Sequence, residues 1–151
     1  MHLATYIWLL DQLERTLRDS YHRVGCGHAE EADVFHICLR LAEQCHTHVD
    51  QLAPLVERYG GNRDRGPDRY AFGLGEAHTG GTGLRRDLRD LYLLASHVDV
   101  AWTLAGQAAR RAHDDRMAAV VDACDTQTIA QVTWLSTRLE EASPRALLVA
   151  E

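Results

Sequence analysis

Apolar residues return every three or four positions along four separate stretches of this chain, a rhythm that a helix buries on one face and a strand cannot. The first stretch runs through Tyr6, Leu9, Leu10, Leu13, Leu17, Tyr21 and Val24. The second carries Phe35, Cys38, Ala42, Cys45, Val49, Leu52, Val56 and Tyr59. The third places Leu84, Leu88, Leu91, Ala95, Val98, Trp102, Ala105 and Ala109 on one stripe, and the fourth Met117, Val121, Cys124, Thr128, Leu135 and Leu139. Stripes of this kind must be covered by other helices, so the pattern predicts an all-α four-helix bundle in a single domain.

The residues between the stretches set the boundaries. Gly25-Cys26-Gly27 predicts the end of the first helix, because glycine accepts the left-handed cap geometry. Glu30, Glu31 and Asp33 then suit the positive end of a second helix, in which Pro54 predicts a bend or an end near Leu52. His113-Asp114-Asp115 breaks the third stretch and offers an N-cap for the fourth, which Ser143-Pro144 should stop. The expected helices are thus 3–24, 29–59, 84–112 and 115–142, with a tail over 143–151. Residues 60–83 hold eight of the 11 glycines and Pro67, and form a connection too long for an ordinary helix–helix turn. A helix of about 30 residues is roughly 45 Å long, a distance that such a connection can run. The layout expected is a bundle with one long crossover between helices two and three. The alternative is an up-down-up-down bundle with an insertion.

Net charge and cysteine usage exclude several classes. The chain carries −6 with histidine neutral, and its Arg63, Arg65, Arg69, Arg85, Arg86 and Arg89 are interleaved with Asp64, Asp68, Asp87 and Asp90. That cancels the unopposed positive field a nucleic-acid surface needs, so no nucleic-acid partner is expected. No stretch approaches the ~20 apolar residues of a membrane span, and Asp11, Glu14 and Arg15 interrupt the first apolar segment where a secretion leader would need continuity. Cys26, Cys38, Cys45 and Cys124 form no short-spaced framework. These features predict a cytoplasmic protein with reduced thiols and no membrane partner.

Acidic and imidazole side chains fall near the middle of the predicted helices. Glu43-Gln44-Cys45-His46 is a Glu-x-x-His pair in the second helix, and positions three apart share a helix face. Glu14 lies mid-way along the first helix, Asp99 along the third, and Asp122 and Asp125 along the fourth. On these residues the chain resembles the ferritin-like superfamily of small bacterial helical-bundle proteins, whose metal centres take a Glu from each of two helices and Glu-x-x-His from the others. The resemblance covers residues 3–142 as architecture and Glu14, Glu43 and His46 as motif. It implies iron or another divalent metal held by Glu14, Glu43, His46 and either Asp99 or Asp125. It departs from the family in the fourth helix, which contains no histidine.

Three other readings stand beside the metal centre. Cys38, Cys45 and His48 share one face of the second helix and, with Cys124, are a possible zinc set; buried core cysteines account for the same spacing. His46 and His48 lie about 200° apart around a helix, so a single site can take only one of them. A bundle with no metal would serve as a structural or partner-binding module, expected to be a homodimer. A groove between helices could hold a small apolar ligand. The phosphate-cradling, nucleophile-elbow and dinucleotide motifs are absent, so no catalytic residue is assigned.

Overall fold

A computed structural model describes residues 3–60 and 80–149, with side chains for 3–60 and 83–143. Four helices make up the described chain: α1 Leu3–Gly27, α2 Ala32–Arg58, α3 Gly80–Arg111 and α4 Asp115–Val149. Their inner faces form one apolar core. Ile7, Leu10, Leu13, Leu17, Tyr21, Cys38, Cys45, Leu88, Leu91, Trp102 and Leu135 are among the fully enclosed side chains. All eight residues of the predicted third stripe are buried.

Contacts along the helices fix their order and direction. α1 packs broadly on α2 and α3 broadly on α4, while α1 also packs on α3 and α2 on α4. Among the described residues the backbones of α1 and α4, and of α2 and α3, never approach within 8 Å, so these are the diagonal pairs. Glu14 meets His48 while Gly25 meets Cys38, which makes α1 and α2 antiparallel. Glu14 meets Trp102 while His28 meets Asp87, which does the same for α1 and α3. Along α2 and α4 the pairs Asp33–Arg138, Gln44–Gln131, His48–Gln127, Gln51–Cys124 and Tyr59–Asp114 keep one antiparallel register from end to end.

Several boundaries differ from those the sequence predicts, each for a local reason. α1 continues to Gly27. Gly25 is buried, and a Cβ there would sit 3.0 Å from the Cys38 Cβ; its role is to let two helices approach, not to end one. α2 starts at Ala32, later than the expected 29, and reaches Arg58, one residue short of the expected 59, without ending near Leu52 at Pro54. Pro54 and Asp50 both lie on the exposed side, where water can reach the Asp50 carbonyl that proline leaves without an N–H partner. α3 begins at Gly80, four residues before its first apolar stripe position. The rest of the expected 60–83 connection, from 61 to 79, lies outside the described residues. α4 runs past Ser143-Pro144 to Val149.

The α3–α4 turn follows capping chemistry closely. His113 takes a left-handed φ of 54°, the Asp114 N–H bonds the Ala109 carbonyl at 2.9 Å, and the His113 N–H bonds that of Arg110 at 3.2 Å. This closes α3 in a Schellman pattern. Asp114 then caps α4, its Oδ1 accepting the Met117 N–H at 3.1 Å.

Candidate functional site

A polar layer crosses the core at mid-height, and its hydrogen-bonded centre takes one side chain from each helix. Glu14 of α1 has no exposed surface. Its Oε1 accepts from His48 Nδ1 of α2 at 2.9 Å and from the Trp102 indole N–H of α3 at 2.8 Å. His48 Nε2 reaches Gln127 Oε1 of α4 at 2.7 Å. The His48 and Trp102 rings also meet edge to face, with centroids 6.1 Å apart.

Both ring nitrogens of His48 therefore face oxygen acceptors, an arrangement that only the imidazolium satisfies as a donor twice over. Burial works against that charge and is the largest single influence on the ring. The bond to Glu14, the charge of Glu14 and the bond to Gln127 together outweigh it, and the His48 pKa lies above its ordinary value.

Neutral polar groups surround this core pair. Tyr21 donates its hydroxyl to Gln131 Oε1 at 3.0 Å, and Gln131 donates to Gln44 Oε1 at 3.1 Å. The Cys124 thiol donates to Gln51 Oε1 at 3.2 Å. Burial, followed by the charges of Glu14 and Asp125, pushes that thiol up to about 12. Burial first, and then Glu14, likewise holds the Cys45 thiol well above its usual range. These cysteines are protonated core residues, not nucleophiles.

Asp99 of α3 and Asp125 of α4 lie half-buried at the edge of the same layer. Burial, then the hydrogen bond and charge of Asp99, then Asp122, raise Asp125 to about 7. One oxygen each of Glu14 (Oε2), Asp99 (Oδ1) and Asp125 (Oδ1) is enclosed without a hydrogen-bond partner.

The structure divides the five residues singled out as metal ligands. Glu14, Asp99 and Asp125 come to the polar layer. Glu43 and His46 do not: both are exposed, and His46 pairs with Asp50 at 3.7 Å on the outer face of α2. The reason is helical phase. The buried stripe of α2 passes through Leu41, Cys45, His48 and Leu52, and His46 is about 200° from His48. Cys38, Cys45 and His48 do share the buried face, as their spacing implies. Among the described residues no group of three or more His, Cys, Asp or Glu side chains is arranged to hold a metal ion. Trp102 lies on the buried stripe that its spacing predicts, whereas Gln127 and Gln131 carry no ligand signature in the sequence. The period-3.6 continuation from Cys124 and Thr128 to Leu135 does pass through Gln131 and would have found it.

Compared with known proteins, the chain matches no family model, no curated protein and no solved structure. No helix among the described residues is long and apolar enough to cross a membrane.

Proposed function

We propose that this protein is a metal-free helical bundle that associates with a second copy of itself, its polar layer fixing how the four helices register and its α3 outer face forming the contact. The observation that carries this reading is an apolar stripe left in solvent. Leu93, Val100 and Leu104 are 59%, 55% and 40% exposed, and with exposed His97 they occupy α3 at steps of four, three and four residues. That is the spacing of a coiled-coil seam, on the side of α3 opposite the core. Large exposed apolar residues in one line mark an association surface more often than scattered ones do.

The polar layer fits a structural role. Both ring nitrogens of His48, the Trp102 N–H and Gln127 Oε1 are engaged within the layer. A buried polar set of this kind adds little net stability but penalises any shift of one helix against another, since a slip would strand a charge in the core. Such a scaffold would work in the cytoplasm. The same contacts support a ferritin-like chain path: α1 is antiparallel to both α2 and α3, so α2 and α3 point the same way on a diagonal.

The test is light scattering across concentration, paired with elemental analysis. The wild type should be a dimer, and Val100→Glu, on a side chain already in water, should be a folded monomer. A wild type that stays monomeric at several hundred micromolar would end this reading. A second reading, a divalent metal at the polar layer, is favoured by the partnerless oxygens of Glu14, Asp99 and Asp125. It requires His48 to exchange Gln127 or Glu14 for the ion, and stoichiometric metal lost in Glu14→Gln would establish it.

A further inference from the structure

The two edges that join the α1–α2 pair to the α3–α4 pair are built differently. Where α1 meets α3, both polar cross-links are enclosed: Glu14 takes the Trp102 N–H, and His28 Nε2 meets Asp87 Oδ2 at 2.7 Å with both residues buried. Breaking either would strand a charge in the core, which is costly. Where α2 meets α4, long polar side chains span the middle of the edge and pair Gln44 with Gln131, His48 with Gln127, and Gln51 with Cys124. One partner in each pair already reaches water. Gln51 and Gln127 are exposed and Gln44 is half-buried, whereas Gln131, His48 and Cys124 lie beneath them at 1% exposure. Towards one end, Arg138 of α4 holds Glu31 and Asp33 at the start of α2 on the surface. Bonds of this kind part at little net cost, because water replaces the partner that is lost. Among the described residues the backbones also approach over a shorter stretch here than between α1 and α3.

We infer that the bundle opens along its α2–α4 edge about the α1–α3 edge as hinge, the two helix pairs moving as units that uncover His48 and Cys124 between them. Openings of this sort are drawn from the elements with the fewest enclosed contacts, and a hinge keeps the packing on its own side intact. Glu14 stays bonded to both His48 and Trp102 throughout, since only the bonds from α2 to α4 part. The motion uses none of Leu93, Val100 and Leu104, so it stands apart from self-association through α3.

Three of the native cysteines report such a motion. Cys26 is exposed, Cys124 lies on the edge that opens, and Cys38 lies inside the α1–α2 pair against Gly25. Burial pushes the Cys38 and Cys124 thiols alike up to about 12, so the closed protein favours neither. Iodoacetamide labelling of the full-length protein, followed at each cysteine by mass spectrometry over urea concentrations below the unfolding transition, separates local from global opening. Cys26 should label at the rate of a free thiol. Cys124 should label at least about tenfold faster than Cys38 and with little dependence on urea, while Cys38 should label only as the whole chain unfolds. Gln127→Ala, at an exposed position, removes one bond across the edge and should speed Cys124 about fivefold, the worth of one net hydrogen bond. The inference is overturned if Cys124 and Cys38 label together with one urea dependence, if Cys38 leads, or if Gln127→Ala leaves the Cys124 rate unchanged.

Discussion

Glu14 is held by donors from two neighbouring helices in a place without water, so removing either side of those contacts leaves a buried group unpaired. Glu14→Ala should cost about 3–5 kcal/mol in chemical denaturation, the usual penalty for stranding the partner of a buried ion pair. Trp102→Phe loses the N–H together with the volume of the five-membered ring in a fully buried place, and should cost about 2–4 kcal/mol. The titrations have a definite sign. A raised His48 pKa means that the folded state binds a proton more tightly than the unfolded chain. Its stabilisation is complete below about 6.5, the ordinary histidine value, and is lost as pH rises through the raised value. Asp125 works in the same direction: between 3.8 and about 7 the folded protein keeps a proton that the unfolded chain has released. Stability should therefore fall from pH 4 to 8, and Asp125→Asn should remove the lower part of that slope while leaving the part above 6.5. At this scale the sequence made Glu14, Asp99 and Asp125 legible through their depth in the helices. It misdirected at His46, because a motif match outranked the periodicity that runs through Cys45 and His48.

Helix pairs depend on how closely their backbones approach, and Gly25 is the tightest point. Alanine there would bring a Cβ to 3.0 Å from the Cys38 Cβ, which is fixed to the α2 backbone and cannot rotate away. Although alanine favours helix by about 1 kcal/mol over glycine, overpacking of this kind costs about 1–3 kcal/mol, so Gly25→Ala should lower the denaturation midpoint. Gly106→Ala is the control. Its Cβ would meet Val121 Cγ1 at 3.1 Å, a side-chain atom that can turn, and the helix preference should offset most of the contact. Asp114→Ala would remove the α4 cap together with the partners of Tyr59 and Arg58, and should cost about 1–2 kcal/mol. The existence of four helices was legible because apolar periodicity survives over about five to seven turns in each. Their ends were less so: Gly25 and Pro54 carry ordinary stop signals, and whether a glycine caps a helix or lets another pack against it depends on a partner that the local sequence does not contain.

Across the whole molecule the exposed α3 stripe has a symmetry that constrains the proposed dimer. Leu93, His97, Val100 and Leu104 are evenly disposed about the midpoint between residues 98 and 99, so an antiparallel two-fold pairing sets Leu93 against Leu104 of the partner subunit and His97 against Val100 of the partner subunit. The same pairing brings Arg86 opposite Arg111 of the partner subunit at both ends of the seam, both residues lying exposed. Like charges at the rim repel, and the repulsion is screened as the Debye length falls from about 10 Å at 0.1 M salt to about 3 Å at 1 M. Association should therefore tighten with added salt, opposite to an interface built on ion pairs. Arg111→Glu then separates the two possible directions. In the antiparallel dimer each new carboxylate meets Arg86 of the partner subunit, which should strengthen association severalfold at low salt and reverse the salt dependence. In a parallel dimer two new carboxylates would meet each other and no strengthening would follow. Sedimentation of both proteins at low and high salt reads this directly, since the substitution lies in solvent and leaves the core and its polar layer untouched.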